Sequence, residues 1–279
     1  MGNLRAVLSV SLLSIAAACG GGGTAKPDAP IIHTDAAVDT APDSPPPIDA
    51  PSYDFSCLNN AAPTTAPATV TISGTAQEIT LQGMTPSIQP NANVSVKACK
   101  GNCTAGNNLG TTMSAANGDS TTAALTTGGA PLDGFLDATK TGDRRTLLFP
   151  PGPLNASQPG APLLMFNAQA FGLLNQFLLS PMQNDVANGI IGIAVTDCTN
   201  TPITTGATVV VKQNGVEVTG GQTVDLGALA TQAAGTYLVT NVPAGAAEVS
   251  ATVNGMTMRA HTVTSVAGAT TATSIRPGF

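Results

Sequence analysis

Apolar and polar positions alternate with a period of two over most of the chain beyond residue 69. Residues 70–75 and 92–99 alternate in this way, the pattern of a strand with one buried face. The texture recurs at 110–115, 120–125, 134–139 and 145–149, separated by Gly, Asn and Pro turns such as Asn117-Gly118 and Lys140-Thr141-Gly142. It returns at 190–197, 207–213, 235–240, 247–253, 256–263 and 269–276, where Asn214-Gly215 and Asn254-Gly255 are hairpin signals. Between these two strand-rich stretches, residues 163–179 are largely apolar. Phe166, Phe171, Leu174, Phe177 and Leu178 fall at near-helical spacing, and Pro181 follows as a stop. This stretch predicts a short amphipathic helix. It contains no Lys or Arg, which a helix lying on a membrane surface ordinarily presents, so packing against the strands fits it better.

Composition agrees with a mainly β protein. Charged residues are 9% of the chain, against the usual quarter, and Thr, Val and Gly are abundant. Exposed helices want Glu and Lys, whereas sheet surfaces accept Thr and Val. The net charge of −6 is unevenly placed. Residues 24–56 hold six Asp and one Lys; residues 57–279 hold 10 acids and 8 bases. The acidity belongs to one segment and the remainder is nearly neutral. No basic patch is visible, so no nucleic-acid partner is expected.

The acidic segment is mostly Pro, Asp, Ala and Thr and includes Pro45-Pro46-Pro47. Such a composition cannot bury enough apolar surface to offset the entropy of ordering. Extended as polyproline, it reaches about 100 Å. It reads as a disordered tether, in which His33 is a solvated side chain.

Ahead of the tether, Arg5 precedes an apolar run over residues 6–18 that ends at Cys19. One positive charge, a short apolar stretch and small residues before a cut site make an export signal. The run is shorter than the roughly 20 residues a spanning helix needs. Ala16-Ala17-Ala18-Cys19 resembles the bacterial lipobox, with Ala16 at the position usually held by Leu. The resemblance implies that Cys19 is the first mature residue and carries acyl chains, which together anchor stably to a membrane. Gly20 after the cysteine implies the outer membrane rather than the inner. Gly20–Gly23 then serves as a spacer.

The two β regions read as copies. Residues 92–97 and 207–212 share A-x-V-x-V-K, and Pro131 and Gly142 match Pro243 and Gly255 more loosely. Short strands between regular turns imply β-sandwiches. The expected fold is therefore mainly β: two tandem transthyretin- or Ig-like sandwiches joined by a short helix and preceded by the Pro/Asp tether. The expected organisation is a signal peptide over 1–18, a lipidated tether over 19–56, a first sandwich over 57–160, a connecting helix over 161–188 and a second sandwich over 189–279.

The second copy resembles a carboxypeptidase-regulatory-like domain. The strand ending at Asp197 leads through Pro202 to Gly206-Ala207-Thr208-Val209. Tyr237 lies on a strand that runs into Asn241-Val242-Pro243-Ala244-Gly245. The first copy matches at Ser73-Gly74-Thr75 and Asp133-Gly134-Phe135. The resemblance implies a transthyretin-like, seven-stranded scaffold related to starch-binding-like folds. Its motifs set turns and core and carry no activity. The zinc site of the peptidase needs an H-x-x-E pair, which neither His33 nor His261 begins.

Little chemistry remains. His261 lies in a predicted strand with no nucleophile elbow elsewhere. Gly20–Gly23 lacks the Lys-Ser/Thr ending of a phosphate loop, and no cofactor is expected. Asp119, Asp133 and Asp137 do not have the spacing of a known calcium loop. Beyond Cys19 four cysteines remain. An even number in an exported protein suggests pairing: Cys99 with Cys103 across a hairpin-like loop, and Cys57 with Cys198. The rival is a metal site of three or four thiolates, which lacks the two C-x-x-C knuckles. Three functions follow. The foremost is a non-catalytic structural or adhesive scaffold contacting an envelope protein. Next is a carbohydrate-binding module for a polysaccharide, weakened by the lack of Trp and by having only Tyr53 and Tyr237. Last is a hydrolase accessory protein.

Overall fold

The computed structural model describes residues 53–279 apart from 83–84, 178, 180–182 and 229–232. The expected signal peptide, Cys19 and nearly all of the tether lie outside the described residues. The compact unit spans Ala50–Phe279 and is mainly β. Its elements are β1 (Thr69–Val70), β2 (Ile72–Gln82), β3 (Thr85–Pro90), β4 (Ser95–Cys99), β5 (Asn108–Met113), β6 (Asp119–Thr121), β7 (Leu125–Thr126), β8 (Phe135–Thr139), β9 (Thr146–Phe149) and β10 (Gln158–Phe166). After helix α1 (Ala168–Phe177) come β11 (Gly189–Val195), β12 (Ala207–Gln213), β13 (Val216–Glu217), β14 (Thr223–Asp225), β15 (Thr236–Val242), β16 (Gly245–Val253), β17 (Met256–Thr257), β18 (His261–Ser265) and β19 (Thr270–Ile275).

The two halves repeat one topology. In each, the first long strand pairs in parallel with the last: β2 with β10, and β11 with β19. In each, the A-x-V-x-V-K strand is flanked by antiparallel neighbours: β4 by β5 and β8, and β12 by β13 and β16. The register repeats too. Lys97 faces Asp137 across β4–β8, and Lys212 faces Glu248 across β12–β16. These are cross-strand pairs of opposite charge at equivalent places.

Each half has its own core. Val94, Val96, Leu136, Leu163 and Met165 are buried in the first, and Ile191, Ile193, Val211, Val249 and Ile275 in the second. The halves are more than tandem, however. β9 pairs in parallel with β19, so one eight-stranded sheet runs β14-β15-β11-β19-β9-β8-β4-β5 through both. Arg144 reinforces this seam. It donates to the Ala269 carbonyl at 2.9 Å and to Thr270 Oγ1 at 3.1 Å, while its guanidinium lies 4.0 Å from the centre of the Phe171 ring.

The apolar run at 163–179 divides differently from expectation. Residues up to Phe166 continue β10, beyond the expected boundary at residue 160, and the helix begins only at Ala168. Leu163 and Met165 are fully buried while Leu164 and Phe166 are partly exposed, a period of two that the uniform apolarity of the run conceals. Asn167 starts the helix by accepting the Gln169 amide on its side chain. Among the described residues no helix is long and apolar enough to cross a membrane.

Both hairpin signals form as expected. Asn214 and Gly215 have φ of 52° and 78°, and Asn254 and Gly255 have 49° and 83°. Two consecutive positive φ values are those of a type I′ turn, whose twist suits the flanking strands. Gly74 serves a different need. A Cβ there would collide with the Ala161 carbonyl oxygen, so the parallel β2–β10 pairing requires glycine.

Candidate functional site

A densely bonded polar site lies where the chain enters the body. Asp197 ends the strand region of β11 and is buried, with 3% of its surface exposed. Its Oδ1 accepts from the Thr199 amide (2.9 Å), Thr199 Oγ1 (2.8 Å) and the Thr201 amide (2.9 Å); its Oδ2 accepts from the Asp54 amide (3.1 Å). Burial pushes this carboxyl up, but the bonds from Asp54, Thr199 and Thr201 outweigh it and hold the group below its ordinary range. The Cys198 amide donates in return to the Asp54 carbonyl. Tyr53 adds its hydroxyl, which accepts the Thr204 amide at 3.0 Å.

Cys57 and Cys198 are joined, with Cα atoms 5.8 Å apart. The bond fastens the entry segment to the second half. Gly278 lies against it, where a Cβ would collide with the Cys57 carbonyl oxygen. Cys99 and Cys103 are also joined, with Cα atoms 5.1 Å apart. Asp137 lies close by, and the ligand atoms of Cys99, Cys103 and Asp137 fall within 4.8 Å of one another. Both sulfurs are nevertheless committed to each other. The Asp137 carboxylate takes Arg145 Nε at 2.8 Å and Nη2 at 2.9 Å, a bidentate ion pair. Nothing there is left to ligate a metal. Asp119 has other partners, Thr75 and Asn117, and does not join Asp137.

A second polar cluster shapes the turn before β4. The buried Asn91 donates to Asp143 Oδ2 at 2.7 Å and accepts from Lys140 Nζ, and its carbonyl accepts Ser114 Oγ at 2.6 Å. Burial raises the Asp143 carboxyl, and neighbouring Glu78 adds to this against the Asn91 bond. Glu78 itself accepts Asn167 Nδ2. These groups tie loops and strand ends together, and Lys140 also lines an open hollow with Asn93, Thr139 and Thr141.

His261 is on β18. Its Nε2 shares a 2.7 Å hydrogen bond with Thr273 Oγ1, and its Nδ1 is buried without a partner. Burial, helped by the charge of Arg259, lowers its pKa to about 4. The folded protein therefore binds fewer protons than the unfolded chain between about pH 6.5 and 4. Stability is expected to fall as pH drops through that window, by up to about 3 kcal/mol. Urea titrations at pH 7 and pH 4.5 on wild type and H261Q test this; a variant with the same pH slope as wild type refutes it.

The aromatic residues weighed for sugar stacking are otherwise occupied. Tyr237 is 7% exposed within the second core, and the Tyr53 hydroxyl is bonded to Thr204. No known family matches the chain, and no curated protein matches it. Solved structures similar to it include the Bacillus anthracis TIE protein (10% identity, TM-score 0.23, 75% of this chain and 33% of that one). Another is the shaft pilin SpaA of Lactobacillus rhamnosus GG (11%, 0.23, 75% and 96%). A third is a streptococcal ancillary pilin (11%, 0.22, 75% and 62%). The chain thus spans only a third of the first, and we infer no activity or partner from likenesses at this level.

Proposed function

We propose that this chain is an exported lipoprotein, held to the outer membrane by acyl chains on Cys19, whose β body is a non-catalytic scaffold for contacts in the cell envelope. The observation that carries this reading is the pairing of all four cysteines of the body, which suits an oxidising compartment outside the cytosol. The lipobox resemblance at Ala16-Ala17-Ala18-Cys19 and the Pro/Asp tether supply the anchor and the spacing from the membrane. The buried polar groups described above are spent on loops and seams, as befits a rigid display platform. The carboxypeptidase-regulatory-like resemblance of the second half supports the same role, since that family's motifs are folding marks.

In a Gram-negative host, wild type is expected in the membrane pellet and in the detergent phase of a Triton X-114 partition. C19A should move to the soluble fraction with its fold intact. A C19A protein that still sediments with the outer membrane refutes the anchor.

A further inference from the structure

We infer that a pocket beside the carboxy-terminal residues is an anion site, and that it takes the carboxylate of an acidic sugar unit. This does not depend on the membrane anchor. The pocket has a volume of about 480 Å³ and is lined in part by Asn60, Pro150, Pro151, Asn155, Arg259 and Arg276. Its lining contains no Asp or Glu.

The two arginines are the reason for a site here. Arg259 follows β17 and Arg276 follows β19, and the Arg259 amide donates to the Arg276 carbonyl. The backbone thus brings two cations together. Among the described residues the salt bridge formed is Arg145–Asp137, so neither of these arginines has a carboxylate partner. The Nε of each is buried and unbonded. Burial of the group lowers the Arg259 pKa, and the charge of Arg276 adds to this. Two like charges kept half-buried without a counter-charge are costly, and a bound anion relieves that cost.

The guanidinium of Arg259 is also held in place. It lies 3.8 Å from the centre of the Phe279 ring. Gly152 makes the space for it, since a Cβ there would stand 2.9 Å from Arg259 Nη2 and 3.2 Å from the Phe279 ring. Arg276 is fixed through Nη2, which donates to the Cys198 carbonyl at 3.0 Å. With both Nε atoms buried and Arg276 Nη2 held by Cys198, the remaining Nη groups of the two fixed guanidiniums are the donors offered to a carboxylate. The rest of the lining suggests what carries it. Pro150 and Pro151 offer apolar ring surfaces, and Asn60 and Asn155 offer amides that both donate and accept. A pyranose presents the same alternation of C–H faces and hydroxyl edges. The volume is within the range of small-molecule sites. Recognition here rests on charge and hydrogen bonding, so it does not need the Trp that the chain lacks.

The test is calorimetric titration of the purified full chain with D-galacturonate at low salt, with D-galactose and inorganic sulfate as comparison ligands. Saturable binding of galacturonate alone is expected, weakened at least tenfold by R259Q and by R276Q, and weakened by added salt. Because either variant could disturb the fold, wild-type protein is also treated with phenylglyoxal. Galacturonate should then shield Arg259 and Arg276 from modification, as read by peptide mass mapping. Equal binding of galactose, equal binding of sulfate, unchanged affinity in both folded variants, or no shielding in wild type each overturns the proposal.

Discussion

Replacing Cys57 and Cys198 together by alanine is expected to lower the stability of the body by about 4–5 kcal/mol. The bond closes a loop between residues 141 apart. Removing it restores the conformational freedom of that loop to the unfolded chain, which the chain-entropy treatment values at about 5 kcal/mol. Alanine suits Cys57, which is 6% exposed, because it leaves no buried hydroxyl in place of sulfur. The Cys99–Cys103 bond is the internal comparison. Its residues are only 4 apart, and the same treatment gives it about 2 kcal/mol. Urea denaturation under non-reducing conditions separates the two. The long-loop variant should show the larger drop in midpoint and a steeper slope, because its unfolded state exposes more surface. A Cys57/Cys198 variant within 1 kcal/mol of wild type, or one no weaker than the Cys99/Cys103 variant, is incompatible with an entropic clamp.

The contrast between these bonds parallels what could be read from the chain without coordinates. Strands with clean alternation, such as Ala207–Gln213, are legible because the period directly reports one buried face. The Asn-Gly turns are legible because few other dipeptides accept two positive φ values. β10 was hidden because Leu163-Leu164-Met165-Phe166 is apolar at every position and fits a strand or a helix equally. β3 escaped because it contains two prolines, Pro86 and Pro90. It tolerates them as an edge strand, which among the described residues pairs with β2 alone, the place in a sheet where proline is accepted.

The larger gap lies in what pairing creates. The repeated A-x-V-x-V-K motif pointed to duplication, but not to β19 pairing with β9 to fuse the copies through one sheet. Arg259 and Arg276 have no sequence signal in common. Only strand register sets them side by side. The entry clamp was half visible. Cys57 and Cys198 stood out as cysteines, whereas Tyr53 and Asp54 read as ordinary tether residues until their bonds to Thr204 and Asp197 were seen.

Asp197 is where that clamp is most open to attack by substitution. D197A is expected to cost about 3–4 kcal/mol, more than any single hydrogen bond contributes. The carboxylate accepts four bonds, three of them from the backbone amides of Thr199, Thr201 and Asp54 and the fourth from Thr199 Oγ1. Bonds to a charged acceptor contribute about 1.5–3 kcal/mol each, and donors left buried lose their hydration as well. The sum is not reached, because the 199–201 turn can relax toward water. D197N separates charge from shape. Its amide oxygen keeps the Oδ1 role toward Thr199 and Thr201, while its NH₂ faces the Asp54 amide as donor against donor. About 1–2 kcal/mol should be lost, and the loss should sit in the entry segment. Hydrogen exchange reads this directly: in D197N the amides of Asp54 and Cys198 should exchange faster while those of Thr199 and Thr201 stay protected. The pH profile gives an independent check. A carboxyl held below its ordinary range stabilises the fold above the unfolded-state pKa near 4, and this contribution fades as pH falls through the lower folded value. Wild type should therefore lose its advantage over D197N only in strongly acidic solution. If the two proteins keep the same stability gap from pH 7 to pH 2, the anionic form of Asp197 is not what holds the clamp, and the packing of the Cys57–Cys198 bond must hold it instead.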